Sequence, residues 1–122
     1  MWEALTAARD ALAQIDCLVS CKIGMEDAIS PADFPLIRIE PEQYDPGKPY
    51  QNRTATINIV FGMPYAPSEG LELVFERLHD LDDEIRAVLR DVLKARYLQT
   101  VWFDRRANVP YKLAAIRCEI MG

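Results

Sequence analysis

A chain of 122 residues, half of them hydrophobic and 27 % charged, is one domain's worth of sequence. It can bury roughly 60–70 % of its unfolded surface without a metal or disulfide staple, and its composition argues against long disorder. Fourteen Lys and Arg against nineteen Asp and Glu give a formal net charge of −5, which disfavours broad attraction to nucleic acid or to anionic lipid.

No run reaches the ~18 apolar residues of a membrane span. The first residues, interrupted by Glu3, Arg9, Asp10 and Asp16, lack the basic start and apolar core of a secretory signal, so a reducing cytoplasm is the expected setting. Trp2, Leu5, Ala8, Leu12 and Ile15 recur at three and four residues, which predicts an amphipathic helix over 2–16. The period then changes to two. Val19, Cys21, Ile23 and Met25 alternate with Ser20, Lys22 and Gly24, as a strand with one buried face would. Residues 26–34 mix acids, Ser-Pro and small residues and read as a loop or a short helical turn.

Leu36 to Glu40 is a second strand, Ile37 and Ile39 on one face and Arg38 and Glu40 on the other. Its flanking prolines, Pro35 and Pro41, fit an edge strand or strand ends, because neither can donate to a ladder. From Glu42 to Gln51 the chain has no periodicity and carries two tyrosines, which predicts a mobile or partner-facing excursion. The cleanest strand follows, with Ala55, Ile57, Ile59, Phe61 and Met63 on one side and Thr54, Thr56, Asn58 and Val60 on the other; it belongs in the middle of the sheet.

Ser68 to Arg96 is the longest periodic segment, a helix with Leu71, Val74, Phe75, Leu78, Leu81, Ile85, Val88, Leu89, Val92 and Leu93 on its stripe and Ser68 as N-cap. Acids crowd its first half and bases its second, the sense that complements the helix macrodipole. Leu98 to Arg105 and Lys112 to Ile120 read as a final hairpin, the second strand sending Ala114, Ile116, Cys118 and Ile120 inward and Ala115, Arg117 and Glu119 outward. The fold expected is α+β, a mostly antiparallel sheet of about five strands packed by two helices in the order α-β-β-β-α-β-β, as one domain over 1–122. The second sheet face, with Thr54, Thr56, Asn58, Arg117 and Glu119, is expected to be wet.

Residues suited to chemistry are sparse. Cys17, Cys21 and Cys118 contain no CxxC pair and His79 is the sole histidine, so the cysteines read as small core residues and neither metal nor cofactor is expected. His79 beside Asp80 could serve as a base, but a solvated helix residue is the simpler reading. Asp82, Asp83 and Glu84 are consecutive on a helix and point in different directions, which suits a solvated acidic face better than a cation site. The glycines are scattered singly, so there is no phosphate loop. Trp102 to Arg106 sets aromatics beside a basic pair, as single-stranded nucleic-acid binders do; the net acidity favours a solvated or subunit-contacting hairpin tip.

The run from Lys22 to Ile39, containing Gly24, Met25, Glu26, Asp27, Ser30, Pro31, Asp33, Phe34 and Pro35, followed by Asn52-Arg53-Thr54-Ala55-Thr56-Ile57-Asn58-Ile59, resembles small structural proteins of tailed bacteriophages and prophages: tail terminator, tail completion and neck proteins. The element order is similar to the tail terminator fold. The resemblance implies a virion protein assembled in the bacterial host cytoplasm, without an active site. Its implied partners are further copies of itself in a ring such as a hexamer, the phage tail tube and head–tail connector proteins, with no membrane.

On that reading the contacts are expected at Tyr44, Lys48 and Tyr50 in the excursion, at Asp27 and Asp33 in the loop before the second strand, at Arg105 and Arg106 in the hairpin tip, and at the sheet edges. Two other readings stand beside it: a small enzyme or ligand-binding domain using His79, Asp82 and Asp83, and a nucleic-acid module using Trp102, Arg105 and Arg106.

Overall fold

The computed structural model describes residues 1–47, 53–102 and 109–122. Along them run α1 (Trp2–Leu12), β1 (Ser20–Ile23), β2 (Leu36–Asp45), β3 (Thr54–Pro64), α2 (Leu71–Val88), β4 (Arg96–Val101) and β5 (Tyr111–Met121), with short 3-10 turns at Pro31–Asp33 and Pro67–Glu69. The five strands form one sheet in the order β1-β2-β3-β5-β4. β1 lies parallel to β2, while β2–β3, β3–β5 and β4–β5 are antiparallel. The fold is α+β with a mixed sheet and two helices.

β3 takes the central position that its strict alternation predicts, because both its long edges find long partners, β2 and β5. Its inward residues Ala55, Ile57, Ile59 and Phe61 are buried with Leu5, Ala8 and Leu12 of α1 and Val74, Leu78, Leu81 and Ile85 of α2. Both helices therefore cover one face. Trp2, expected on the helical stripe, is 63 % exposed. Met1 and Ala4 are the half-buried residues instead, so α1 is rolled onto the 1, 5, 8, 12, 15 series and Trp2 is left off it. The helix ends at Leu12, short of the expected Asp16.

Parallel strands need a crossover of about a dozen residues, and residues 24–35 supply it across the sheet's second face. Gly24, at φ 88°, turns the chain out of β1 in a conformation that a Cβ disfavours. The crossover then lays Met25, Ile29 and Phe34 against Leu36, Val60, Leu113 and Ala115, and Phe34 stacks on Tyr111 with ring centroids 4.6 Å apart. This end of the second face is dry. Ala115 and Arg38, both expected outward in water, are buried. The wet part is confined to the far end, where Arg117 Nε donates to Glu42 at 2.9 Å and Asn58 to the same carboxylate at 3.1 Å.

β2 is an interior strand, contrary to the edge position suggested by its prolines. β1 pairs only with Leu36 to Ile39, so Pro41 falls where the outer edge of β2 is already uncovered and beside the irregularity between Pro41 and Gln43. Its missing N–H costs nothing there. Four of the excursion's residues, Glu42 to Asp45, continue β2 rather than leaving the sheet.

The long helix is interrupted at both ends. Ser68 does not cap it: Pro67–Glu69 form a separate 3-10 turn and Gly70, at φ 84°, is the N-cap of α2. After Val88 the chain widens into a π turn at Leu89–Leu93, closed by Lys94 in the left-handed region. The i→i+5 bonding of such a turn advances the buried register. Leu93 stays half-buried, whereas Val92, expected on the stripe, is 63 % exposed.

A Cβ added at Gly62 would lie 2.5 Å from Phe34 Cε2 and 2.7 Å from Leu113 Cδ2. Gly62→Ala should therefore cost about 1–3 kcal/mol by chemical denaturation, since the crossover must lift to admit the methyl group. Arg38 holds the Glu26 carboxyl down from 4.5 to about 2. A depressed folded value means that this contribution is fully present above the unfolded value near 4.5 and is lost as pH falls towards 2. The melting temperature of the wild type should drop across that window more steeply than that of Glu26→Gln, measured by thermal melts from pH 6 to 2.

Candidate interaction surface

α2 and β4 run side by side in opposite senses, and three side-chain pairs record their register. Tyr97 lies under the Arg86 guanidinium, 5.2 Å from ring centroid to Cζ. Thr100 Oγ1 donates to Asp82 at 2.8 Å. Trp102 stacks on His79 at 4.3 Å and meets the Phe61 edge at 5.9 Å. Tyr97 and Thr100 face α2 because both stand opposite inward residues of β5, Cys118 and Ile116.

This arrangement accounts for the residues that sequence alone offered for catalysis. Asp82 is buried, and besides Thr100 it takes a 3.0 Å ion pair from Arg86. Asp83 points outward and shares the same Arg86 at 3.1 Å. His79 Nδ1 donates to the Phe75 carbonyl at 2.8 Å, and its ring face is taken by Trp102. The three do not converge on one cavity. Asp82 and Arg86 instead fasten α2 to β4, a structural role that the run of three acids did not suggest; Thr100, eighteen positions from Asp82, carries no sequence signal for it.

Beyond Arg86 an open cleft of about 770 Å³ is lined by Asp83, Arg86, Leu89, Arg90, Lys94, Ala95 and Tyr97. The π turn makes this cleft by displacing the last helical residues from the α-helical path. A smaller groove of about 400 Å³ on the other flank of α2 is lined by Cys17, Met63, Pro64, Arg77, Asp80, Leu81 and Glu84. Cys17 is exposed there, not a core residue as expected, because α1 ends early and the following turn carries it out. Its thiol is raised, chiefly by partial burial and then by Glu84. Burial pushes Cys21 up to about 11 and Cys118 up to about 12, so neither is a thiolate at neutral pH. Among the described residues no cluster of His, Cys, Asp or Glu is arranged to hold a metal ion, and no helix is long and apolar enough to cross a membrane.

The residues expected to make contacts are spread over the molecule. Tyr44 is exposed on the free end of β2, and Asp27 is exposed in the crossover. Asp33 is half-buried and turned to the fold: its carboxylate accepts the Ser30 N–H at 2.9 Å and its carbonyl accepts the Ser20 hydroxyl at 3.1 Å. Lys48, Tyr50, Arg105 and Arg106 lie outside the described residues. What the sequence did not single out is the exposed apolar set Leu71 and Phe75 on α2 and Tyr97 and Val101 on β4; Trp102, offered there for nucleic acid, is exposed just beyond β4 and stacks on His79. Leu71 and Phe75 belong to the predicted stripe but are exposed, while Val74 between them is buried.

No protein-family model matches the chain, and no characterised protein matches it in sequence.

If Asp82 is a fastener, removing it leaves Arg86 and Thr100 without their common partner. Asp82→Ala should lower stability by about 2–4 kcal/mol, and Thr100→Val by about 1 kcal/mol. The double variant should lose less than the sum, read by urea denaturation in a double-mutant cycle.

Proposed function

We propose that the chain is a virion structural protein of a tailed phage or prophage, of tail terminator or tail completion type. In this reading it acts without catalysis, by ring oligomerisation and docking at the end of the tail or at the head–tail junction, after assembly in the host cytoplasm. The observation that carries the proposal is the set of large apolar side chains exposed along α2 and β4, together with a sheet whose two outer edges meet no further strand among the described residues. Soluble monomers seldom leave such surfaces together uncovered. The resemblance at residues 22–39 and 52–59 and the helix, three strands, helix, two strands order support the same assignment and its tail-terminator-like fold. The net charge of −5 suits contacts with protein better than with nucleic acid.

Ligand binding at His79, Asp82 and Asp83 is the weaker reading, because the first two are occupied by Trp102 and by Thr100 and Arg86.

The purified chain, mixed with tail tubes of the phage or prophage that encodes it, should sediment with the tubes and be seen by electron microscopy as a closed ring on one end. A chain that leaves the tubes bare and forms no ring with or without them sinks the proposal.

A further inference from the structure

The smaller groove, on the flank of α2 that carries Cys17 and Glu84, is apolar within and negative at its lip. Pro35, Met63 and Pro64 give it apolar surface, backed by the fully buried Leu81. Asp80 and Glu84 line it from α2, both exposed and without an ion pair among the described residues. The cation that lines it, Arg77, is held by Glu69 at 3.1 Å. Cys17 adds no charge at neutral pH, since its thiol is raised, and Asp16 beside it is a further exposed carboxylate without an ion pair among the described residues.

Apolar surface under free carboxylates matches a lysine or arginine side chain, whose methylene stem covers the one while its head meets the other. The spacing of the carboxylates narrows the match. Asp80 and Glu84 are four residues apart on α2, so they stand about 6 Å apart along its axis. In an extended chain, residues two apart leave on the same side about 6.6–6.8 Å apart. A groove of about 400 Å³ admits such a segment, whereas a helix about 10–12 Å across is too broad to enter it.

We propose that this groove docks an extended segment of a different protein that carries two basic residues two positions apart, their heads at Asp80 and Glu84 and their stems on Pro35, Met63 and Pro64. The apolar stems supply affinity and the two carboxylates select sequence and register. A second copy of this chain does not fit. Its own Lys94-Ala95-Arg96 has the spacing but not the shape, because Lys94 lies at φ 52° and the Ala95 N–H is bonded back to the Leu89 carbonyl at 2.9 Å. The groove is also separate from the exposed apolar set along α2 and β4, so the proposal stands independently of the virion reading.

The test titrates the full chain with the capped peptide Leu-Lys-Thr-Lys-Leu up to ~10 mM and follows the methyl resonances of Met63 and Leu81 by NMR. Saturable shifts with a Kd of about 1 mM are expected, because exposed ion pairs are individually weak. The peptide with glutamate at both lysines should bind at least about threefold more weakly. So should Leu-Lys-Lys-Thr-Leu, which has the same composition but sends its two lysines to opposite sides. Asp80→Asn with Glu84→Gln should weaken the first peptide by at least the same factor, and Asp80→Lys with Glu84→Lys should reverse the preference towards the glutamate peptide. Both positions are exposed, and thermal melts confirm that the variants fold. No saturable shift, adjacent lysines that bind as well as spaced ones, or variants that bind as wild type does would each overturn the proposal. Methyl shifts that follow the chain's own concentration before any peptide is added would make a second copy the occupant and overturn it as well.

Discussion

A guanidinium with no access to water is the constraint on which the rest of this molecule turns. Arg38 is fully buried, and its Nε reaches both oxygens of Glu26 at 2.9 and 3.1 Å while Nη1 donates to Ser20 Oγ at 3.0 Å and to the Ile37 carbonyl at 2.9 Å. Leaving such a charge unpaired in the interior is costly. Every element that supplies a partner must therefore be in place together: β1 for Ser20, the Gly24 turn that brings Glu26 back over the sheet, and β2 itself. The parallel β1–β2 pair and the crossover form one unit for this reason. The second hydrophobic cluster, with Phe34 and Leu36 at its heart, packs beneath the same crossover.

The opposite side of the sheet has its own fastening. Asp82 is as buried as the core around it, and it is satisfied by one residue from its own helix and one from β4. That pairing holds an edge strand that has only β5 as a ladder partner. The π turn lies just beyond. By shifting Leu93 inward and Val92 outward it ends the helix in a wide turn and opens the cleft beside Tyr97. The two polar contacts thus sit near the two margins of the sheet, where apolar packing alone is thinnest.

Much of this was legible from residue periodicity, and the misses share a cause. Alternation in β3 and β5 placed Ile57, Ile59, Phe61, Ile116 and Cys118 inward, because the helices cover that face completely. Periodicity reports that two faces differ, not what will cover the second one. Arg38 was therefore assigned to water, although a crossover containing Phe34 and Ile29 was available to bury it. Helix stripes gave a similar ambiguity, since Met1 and Trp2, or Val92 and Leu93, fit equally well until the partner surface selects one. Capping chemistry favoured Ser68 over Gly70 because side-chain preference is visible in sequence and a backbone at φ 84° is not. Of the candidate site, the loops were recognisable as exposed polar segments and Trp102 as a candidate contact, but the apolar set at Leu71, Phe75 and Val101 was hidden within patterns that normally mean core.

Exposed apolar residues inside core-like patterns say something about how the chain divides its labour. A helix stripe wider than the surface it meets leaves residues uncovered, as Leu71 and Phe75 are here, and the edge strand's inward Tyr97 and the Trp102 that follows it are too large for their half-open positions. Such residues cost solubility in an isolated domain, whereas the acidic row of Glu72, Glu76, Asp80 and Glu84 on the same helix keeps the exposed face strongly hydrated. Apolar patches at the margins with dense charge between them confine contact to particular places and suppress sticking elsewhere. The two buried polar contacts, Arg38 with Glu26 and Asp82 with Arg86, lie near those same margins and hold the outer strands where apolar cover is thinnest.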